Sequence, residues 1–144
     1  MIRRIAKGDI EDVLRLWRSS CEESHPFLTT EFLDTVGSNM RDRTLIAYET
    51  DVLVSGGVCA FLSRLGTFVD ALFVAPSMQC RGLGKQLLDH AKIQCSELQL
   101  SVFAQNPRAV KFYQREGFWA TTVKEHRETR ETIVGLKWKK QNDV

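Results

Sequence analysis

No stretch of the 144-residue sequence is both long and apolar enough to span a membrane. A transmembrane helix needs about 18 or more consecutive apolar residues, and polar or charged residues interrupt every apolar run well before that length. The N-terminal segment MIRRIAKGD also lacks the apolar centre of a signal peptide. We therefore expect a cytoplasmic protein that has no membrane partner.

Cysteine and histidine are too few and too widely spaced to indicate a metal site or a disulfide framework. The four cysteines, Cys21, Cys59, Cys80 and Cys95, form no C-x-x-C pair, and the three histidines do not lie at zinc-ligand spacing. We expect no metal and four free thiols, most of them in the core. Cys80 alone falls in a loop beside the candidate site. A nucleophilic role for it is a minor alternative, since no activating base is nearby in sequence.

Charge of one sign is also scarce. The formal net charge is +2, which is too small to indicate a nucleic-acid partner. Apolar residues make up 43% of the chain and charged residues 26%, proportions typical of a soluble globular protein. The length suits one domain over residues 1–144.

Hydrophobic periodicity predicts a mixed α/β protein with about seven strands and four helices. Asp9 is the expected N-cap of the first helix, with Asp12 in an imperfect capping box. Thr50 and Asp51 suit a tight turn, and Gly56–Gly57 suggests a bulge in one long strand. The predicted strands cover residues 1–6, 44–48, 52–65, 68–75, 98–103, 118–123 and 132–138, and the predicted helices 9–21, 30–39, 83–95 and 107–117.

Residues 68–88, FVDALFVAPSMQCRGLGKQLL, are predicted to form a strand, a glycine-rich loop and the start of a helix. Such a loop presents backbone N–H groups at a helix N-terminus, where they bind phosphate. It is not a Walker A loop, because Gln86 replaces the Mg²⁺-binding hydroxyl. It is not a dinucleotide fingerprint, because Leu87 replaces the third glycine. If the strands before and after this helix splay apart, a ligand can enter between them.

Two segments of the sequence fit longer patterns. Residues 79–84, QCRGLG, fit (Q/R)-x-x-G-x-(G/A), and residues 106–118, NPRAVKFYQREGF, fit N-x-x-A-x-x-F-Y-x-x-x-G-F. Together, in this order and at this spacing, they resemble the motifs of the GCN5-related N-acetyltransferase (GNAT) superfamily. Residues 24–28, SHPFL, are similar to small bacterial acetyltransferases of the YiaC and YjaB type. The resemblance implies a GNAT fold: a mixed, mostly antiparallel sheet whose fourth and fifth strands splay apart.

The resemblance also implies acetyl-CoA as co-substrate and a set of residues that bind it. The loop amides would bind its pyrophosphate, the fourth strand would pair with the pantetheine arm, Asn106 would hydrogen-bond that arm and Phe112 would line its channel. The implied cofactor-binding residues are Leu72, Phe73, Val74, Gln79, Arg81, Gly82, Leu83, Gly84, Lys85, Asn106, Phe112 and Tyr113.

Tyr113 and Val74 would take part in catalysis if the resemblance holds. Tyr113 matches the tyrosine that, in the family, acts as the acid that protonates the departing thiolate. The N–H of Val74 would polarise the thioester carbonyl. A thiol has a pKa of about 8.5 and tyrosine about 10, so full proton transfer is uphill by roughly 2 kcal/mol. A hydrogen bond that strengthens as sulfur gains charge would already accelerate the reaction.

The base that would receive the amine's proton is ambiguous. Deprotonating a lysine with a pKa near 10.4 costs about 4.6 kcal/mol at pH 7. Some family members carry glutamate on the fifth strand, where this chain has Ser101. The remaining candidates are Asp70, which interrupts an apolar strand, and Glu23 and His25 as substrate-binding residues.

We therefore predict an acetyl-CoA-dependent N-acetyltransferase that acts by direct attack of the amine in a ternary complex. The acceptor is a primary amine of a protein lysine, a protein N-terminus or a small molecule, and the enzyme a monomer or homodimer. Two alternatives stay open: a catalytically weak, CoA-binding regulatory module, and a toxin-like aminoacyl-tRNA acetyltransferase.

Overall fold

The computed structural model describes residues 1–141, which form a sheet flanked by helices. Short 3-10 turns cover Lys7–Asp9 and Pro76–Met78, and a π-helical turn covers Met40–Thr44. The strands are β1 (Ile2–Arg4), β2 (Glu49–Val54), β3 (Val58–Leu65), β4 (Phe68–Val74), β5 (Glu97–Phe103), β6 (Trp119–Glu125) and β7 (Thr132–Lys139). The helices are α1 (Ile10–Ser24), α2 (Thr30–Asn39), α3 (Leu45–Ala47), α4 (Leu83–Gln94) and α5 (Pro107–Arg115).

The strands form one sheet in the order β1-β2-β3-β4-β5-β7-β6. Every neighbouring pair is antiparallel except β4 and β5, which run parallel. These two strands pair only at Phe68 and Gln99 and then diverge. The mixed α/β class and the splayed fourth and fifth strands are therefore confirmed.

The sheet separates two hydrophobic layers. Leu72 and Val74 of β4 pack with the layer that contains α4 and α5, while Ala71 and Phe73 pack with the layer that contains α1 and α2. This alternation follows from the two-residue period of a strand. As a result, β4 lies between both layers and forms one wall of the opening that its divergence from β5 creates.

Two of the predicted strands are wrong, although the total of seven is right within residues 1–141. Residues 44–47 lie in the π-helical turn and α3, Tyr48 follows as the C-cap of α3, and Leu45 is only 1% exposed. The predicted long strand over residues 52–65 is instead two strands joined at Gly56 and Gly57, whose φ angles are +70° and +143°. Short apolar runs fit helix and strand equally well. The two glycines at positive φ form the turn itself, and the pairing of β2 with β3 shifts register beside it, between Leu53 and Val54.

The predicted turn at Thr50 and Asp51 is also wrong, because both residues lie inside β2. Thr50 is completely buried, and its hydroxyl shares a 2.9 Å hydrogen bond with that of Ser63 on β3. Since each hydroxyl satisfies the other, two polar residues fit inside paired strands at little cost.

Asp9 is the N-cap residue of α1, as predicted, but its carboxylate does not cap the helix. It accepts a hydrogen bond from the backbone N–H of Ala6 at 2.8 Å and two from the Arg3 guanidinium at 2.6 and 3.0 Å. These contacts, those of Arg3 foremost, lower the pKa of Asp9. Asp12 pairs with Arg15 instead of completing a capping box. The carboxylate therefore ties β1 to the start of α1.

The four cysteines are free thiols, as expected. Cys21 and Cys59 are buried, Cys95 is half-buried and Cys80 is exposed. Burial raises the pKa of Cys21 to about 12. Within residues 1–141, no helix is long and apolar enough to cross a membrane.

Candidate active site

A cleft of about 610 Å³ opens where β4 and β5 diverge. It runs from the glycine-rich loop to the start of α5, and it brings together most of the predicted site residues. Arg81 and Glu23 do not line it, and both are exposed. The predicted residues that line the cleft are His25, Asp70, Leu72, Phe73, Val74, Gln79, Gly82, Leu83, Gly84, Lys85, Asn106, Phe112 and Tyr113.

The glycine-rich loop ends at Gly82, the N-cap of α4, which has left-handed backbone angles with φ +76°. A β-carbon on Gly82 would meet nothing within 4 Å, so only the backbone conformation demands glycine there. A β-carbon on Gly84 would lie 3.5 Å from Phe112 and 3.7 Å from Val74, which is ordinary contact. The first amides of the twelve-residue helix α4 have no intrahelical partner and form an anion site at the mouth of the cleft.

The hydrogen-bond register of β4 leaves two backbone amides facing the cleft. The N–H of Ala75 donates to the carbonyl of Cys59 on β3 at 2.8 Å. Because antiparallel partners alternate between bonded and non-bonded pairs, Phe73 also bonds to β3, whereas Leu72 and Val74 point their N–H groups away from it. At Leu72 and Val74, strand β5 has already diverged from β4 and does not pair with these residues. These two amides are therefore available to a ligand that lies in the cleft as an extra strand.

The carbonyl of Val74 confirms this orientation, because its partners also approach from the side away from β3. The hydroxyl of Ser20 on α1 donates to it at 2.9 Å and the side-chain amide of Gln79 at 3.3 Å. These contacts fix the end of β4 between α1 and the glycine-rich loop. Gln79, a motif residue, thus holds the strand in position in this structure.

Asp70 occupies a β-bulge. Ser63 on β3 pairs with Ala71 and the next residue, Arg64, pairs with Val69, so Asp70 is the extra residue of β4. The bulge explains how a carboxylate interrupts an apolar strand, and bulges are common next to active sites. The side chain of Asp70 lines the cleft and has no hydrogen bond or ion pair with the rest of residues 1–141. The Asp70 side chain is exposed to solvent on one side. The protein around its other sides removes part of its hydration, which raises the pKa of the carboxyl group.

Tyr113 packs at the inner end of the cleft and is only 7% exposed. Its ring makes edge contacts with Phe112 and Phe118 at centroid distances of 5.1 and 5.4 Å. Burial raises its pKa well above the usual range, so its phenol is neutral and can donate a hydrogen bond. Within residues 1–141 its hydroxyl has no hydrogen-bond partner, which leaves that donor for a ligand.

Asn106 and His25 meet across the cleft. Asn106 caps α5, since its side-chain oxygen accepts from the N–H of Ala109 at 3.3 Å. Its side-chain nitrogen lies 3.4 Å from Nε2 of His25, which follows α1. Burial lowers the pKa of His25, so this residue is neutral near pH 7.

Two cationic side chains near the glycine-rich loop, Lys85 and Arg108, differ in whether a carboxylate neutralises their charge. Lys85 forms ion pairs with Glu116 at 3.1 Å and Asp89 at 3.2 Å. Arg108, in the first turn of α5, instead contacts uncharged groups of the loop: the sulfur of Cys80 at 3.0 Å and the side-chain oxygen of Gln79. Sequence reasoning missed Arg108, although it occupies a variable position of the second motif.

A second cavity, of about 380 Å³, lies between α1 and α2. Its charges pair with each other: Arg18 with Asp34 at 2.8 Å, and Arg41 with Glu11 at 3.0 Å. The paired charges make it a weaker ligand site than the cleft. Within residues 1–141, no group of three or more His, Cys, Asp or Glu side chains is arranged to hold a metal ion.

A strand with two free amides, a glycine-capped helix and a buried tyrosine thus share one cleft. Residues 10–118 match the sequence profile of the acetyltransferase (GNAT) family. The chain belongs to the GNAT family. The resemblance drawn from the two motifs, and the assignment as an N-acetyltransferase, are confirmed.

Two curated relatives of this GNAT chain are named as peptidyl-lysine N-acetyltransferases. The peptidyl-lysine N-acetyltransferase YiaC of Escherichia coli is 32% identical over 120 residues, which cover 82% of each protein. The peptidyl-lysine N-acetyltransferase YjaB of Escherichia coli is 33% identical over 126 residues, which cover 83% of this chain and 82% of YjaB. The solution structure of apo-form YjaB superposes with a TM-score of 0.85, at 27% identity, over 98% of each chain.

Proposed function

We propose that this GNAT protein transfers the acetyl group of acetyl-CoA to the side-chain amine of lysine in a protein or peptide. The similarity to two peptidyl-lysine N-acetyltransferases supports this class of acceptor. The observation that carries the cofactor assignment is the pair of amides, on Leu72 and Val74, that face a cleft ending at the glycine-capped helix α4. Residues 1–144 would act as one domain, as a monomer or a homodimer.

The cleft suits a ligand with an extended arm and a phosphate-bearing end. Leu72 and Val74 offer strand-like pairing to the pantetheine arm, whereas the backbone of Phe73 is bonded to β3. Asn106, at the cap of α5, and Phe112 on α5 also line the cleft. The amides from Arg81 to Lys85 bind the pyrophosphate at the start of α4. Acetyl-CoA supplies the acetyl thioester that the amine attacks.

Two groups of the chain address the thioester. The N–H of Val74 donates to the thioester carbonyl and stabilises the negative charge that develops on its oxygen, and the N–H of Leu72 has the same orientation. The Tyr113 hydroxyl donates to the sulfur as the C–S bond breaks. Because burial raises the pKa of Tyr113 further above that of a thiol, Tyr113 stabilises the thiolate by a hydrogen bond rather than by giving up its proton.

Asp70 is the group best suited to the attacking amine. Its carboxylate has no partner within residues 1–141, so it is free to bind the lysine ammonium in the cleft. The ammonium first loses one proton to solvent, because only the neutral amine has a lone pair that can attack the thioester. As the C–N bond forms, the nitrogen becomes acidic again and its second proton passes to Asp70, directly or through water. A carboxylate in a desolvated cleft also favours a cationic acceptor over a neutral one.

The proposal is tested by thiol release from acetyl-CoA with three acceptors: a lysine peptide with a blocked N-terminus, a lysine-free peptide with a free N-terminus, and a polyamine. We expect release with the lysine peptide, together with a mass increase of one acetyl group on it. Binding of CoA without release would favour the regulatory module. Release only with the other two amines would refute the lysine assignment.

A further inference from the structure

The side chains of Ser24, His25 and Asn106 form a chain of hydrogen bonds whose direction can be assigned. The hydroxyl of Ser24 donates its one proton to the carbonyl of Ser20 at 2.7 Å. At 2.6 Å from the same hydroxyl, Nδ1 of His25 must therefore be the donor. The neutral ring then carries a free lone pair on Nε2. Because the oxygen of Asn106 is engaged by the N–H of Ala109, its NH₂ group faces that lone pair at 3.4 Å.

The surroundings of His25 maintain this tautomer. Edge contacts to Phe27 and Phe103 both have centroid distances of 5.6 Å, and Phe73 lies at 6.5 Å. These apolar rings desolvate the imidazole and lower its pKa, so the acceptor on Nε2 is present at neutral pH. Its hydrogen-bond partners, Ser24 and Asn106, are uncharged as well.

We propose that His25 is a positioning residue that acts through Asn106. Its Nε2 accepts one of the two N–H groups of Asn106, which directs the other into the cleft toward the pantetheine arm. The inference rests on the proposed function, because it assumes that Asn106 binds the cofactor. The contact between His25 and Asn106 links the connection between α1 and α2 to the cap of α5. A separate contact, from Ser20 near the end of α1 to the carbonyl of Val74, links α1 to β4.

Protonation of His25 would reverse this contact, because Nε2 then becomes a donor that faces a second donor. Cofactor affinity is therefore expected to fall at acid pH, below the ordinary pKa of histidine near 6.5. Other groups that titrate or carry charge near the ring are few. His126, on the β6–β7 connection, packs against Phe103 with a distance of 5.6 Å between the ring centroids. The charged groups that share the cleft are Asp70, Lys85, Arg108, Arg115 and Glu116.

The test compares acetyl-CoA affinity, measured by calorimetry from pH 5 to pH 8, in four proteins. His25→Leu keeps the apolar contacts but removes the acceptor. His25→Gln restores an acceptor that does not titrate. His126→Leu is the matched control, because it removes a second histidine from the same aromatic cluster without touching Asn106. Wild-type protein provides the reference.

We expect His25→Leu to weaken acetyl-CoA binding at pH 7.5 by about 2- to 10-fold, the range for loss of one hydrogen bond. His25→Gln should retain affinity at pH 7.5 within about 2-fold and weaken less at acid pH than the wild type does. The weakening that remains comes from protonation of the phosphate monoester of the ligand, whose second pKa is about 6. His126→Leu should behave like the wild type. A His25→Leu protein that melts normally and binds as tightly as the wild type would overturn the proposal, as would an acid weakening that is as large in His25→Gln as in the wild type.

A double-mutant cycle separates positioning from a general packing effect. Asn106→Ser keeps an oxygen that can cap α5 but is too short to reach His25, so His25→Leu in that background should cost less than about 2-fold in affinity. Additive losses would contradict the proposal. If the wild type itself does not bind acetyl-CoA, the proposed function fails and this inference fails with it. Normal wild-type binding with unaffected His25 variants refutes only the inference.

Discussion

Replacing Gly82 by alanine should damage the glycine-rich loop, whereas replacing Gly84 by alanine should not. The two glycines lie two residues apart, and both line the cleft. Only Gly82 has a left-handed backbone, with φ +76°, and a β-carbon there would touch nothing within 4 Å. The expected cost of Gly82→Ala is therefore purely conformational.

The size of that cost follows from the backbone. An alanine in the left-handed region costs about 1–2 kcal/mol. For a domain of this size, each kcal/mol lowers Tm by about 2–4 °C, so Gly82→Ala should lower Tm by about 2–8 °C. At Gly84, the added β-carbon would make ordinary contacts of 3.5 Å with Phe112 and 3.7 Å with Val74. Gly84→Ala should leave Tm unchanged or raise it slightly, since alanine favours the helix.

Both variants are measured by thermal denaturation and by calorimetric titration with acetyl-CoA. Relaxation of residue 82 out of the left-handed region would turn the first amides of α4 away from the pyrophosphate, so we expect Gly82→Ala to bind at least about 10-fold more weakly. Gly84→Ala should bind within about 3-fold of the wild type. A Gly84→Ala protein that is less stable or binds more weakly than Gly82→Ala would refute the reasoning.

Three further variants address single groups of the cleft. Tyr113→Phe keeps the ring contacts, and it should lower kcat for thiol release by about 100-fold with little change in KM for acetyl-CoA; an unchanged kcat would remove Tyr113 from the mechanism. Asp70→Asn should lower kcat/KM for the lysine peptide. Asp70→Asn should also raise Tm at pH 7. The raised pKa of Asp70 means that its ionised form destabilises the folded state. The gain in Tm should vanish by about pH 4, where the carboxyl group is protonated in the unfolded chain as well. Arg108→Gln should raise KM for acetyl-CoA by about 3- to 10-fold at unchanged kcat, as expected for a guanidinium free to bind phosphate. Lys111→Gln, an exposed control on the same helix, should change neither constant.

The parts of the fold that were predictable from the sequence are those whose local signals agree with their tertiary environment. The apolar strand before Pro76, the glycine at 82 and the asparagine that caps α5 all do locally what their residue types favour. By contrast, residues 44–48 are apolar and short, and helical packing of Leu45 against the α1–α2 layer decides their conformation.

The missed features of the site depend on contacts between distant segments. That Asp70 lies in a bulge follows from the register of β4 against β3, which a single strand's sequence does not encode. The contact between His25 and Asn106 joins residues 81 positions apart. Arg108 occupies a variable motif position, and only the structure places it against Cys80.

The most direct test of the cleft as the acetyl-CoA site is backbone amide NMR during a titration with acetyl-CoA. The amide signals of Leu72 and Val74, which face the cleft, should shift strongly together with those of Gly82 and Gly84. The signal of Phe73, whose amide bonds to β3, should shift less and serves as the internal control. Changes concentrated instead around the cavity between α1 and α2 would contradict the account.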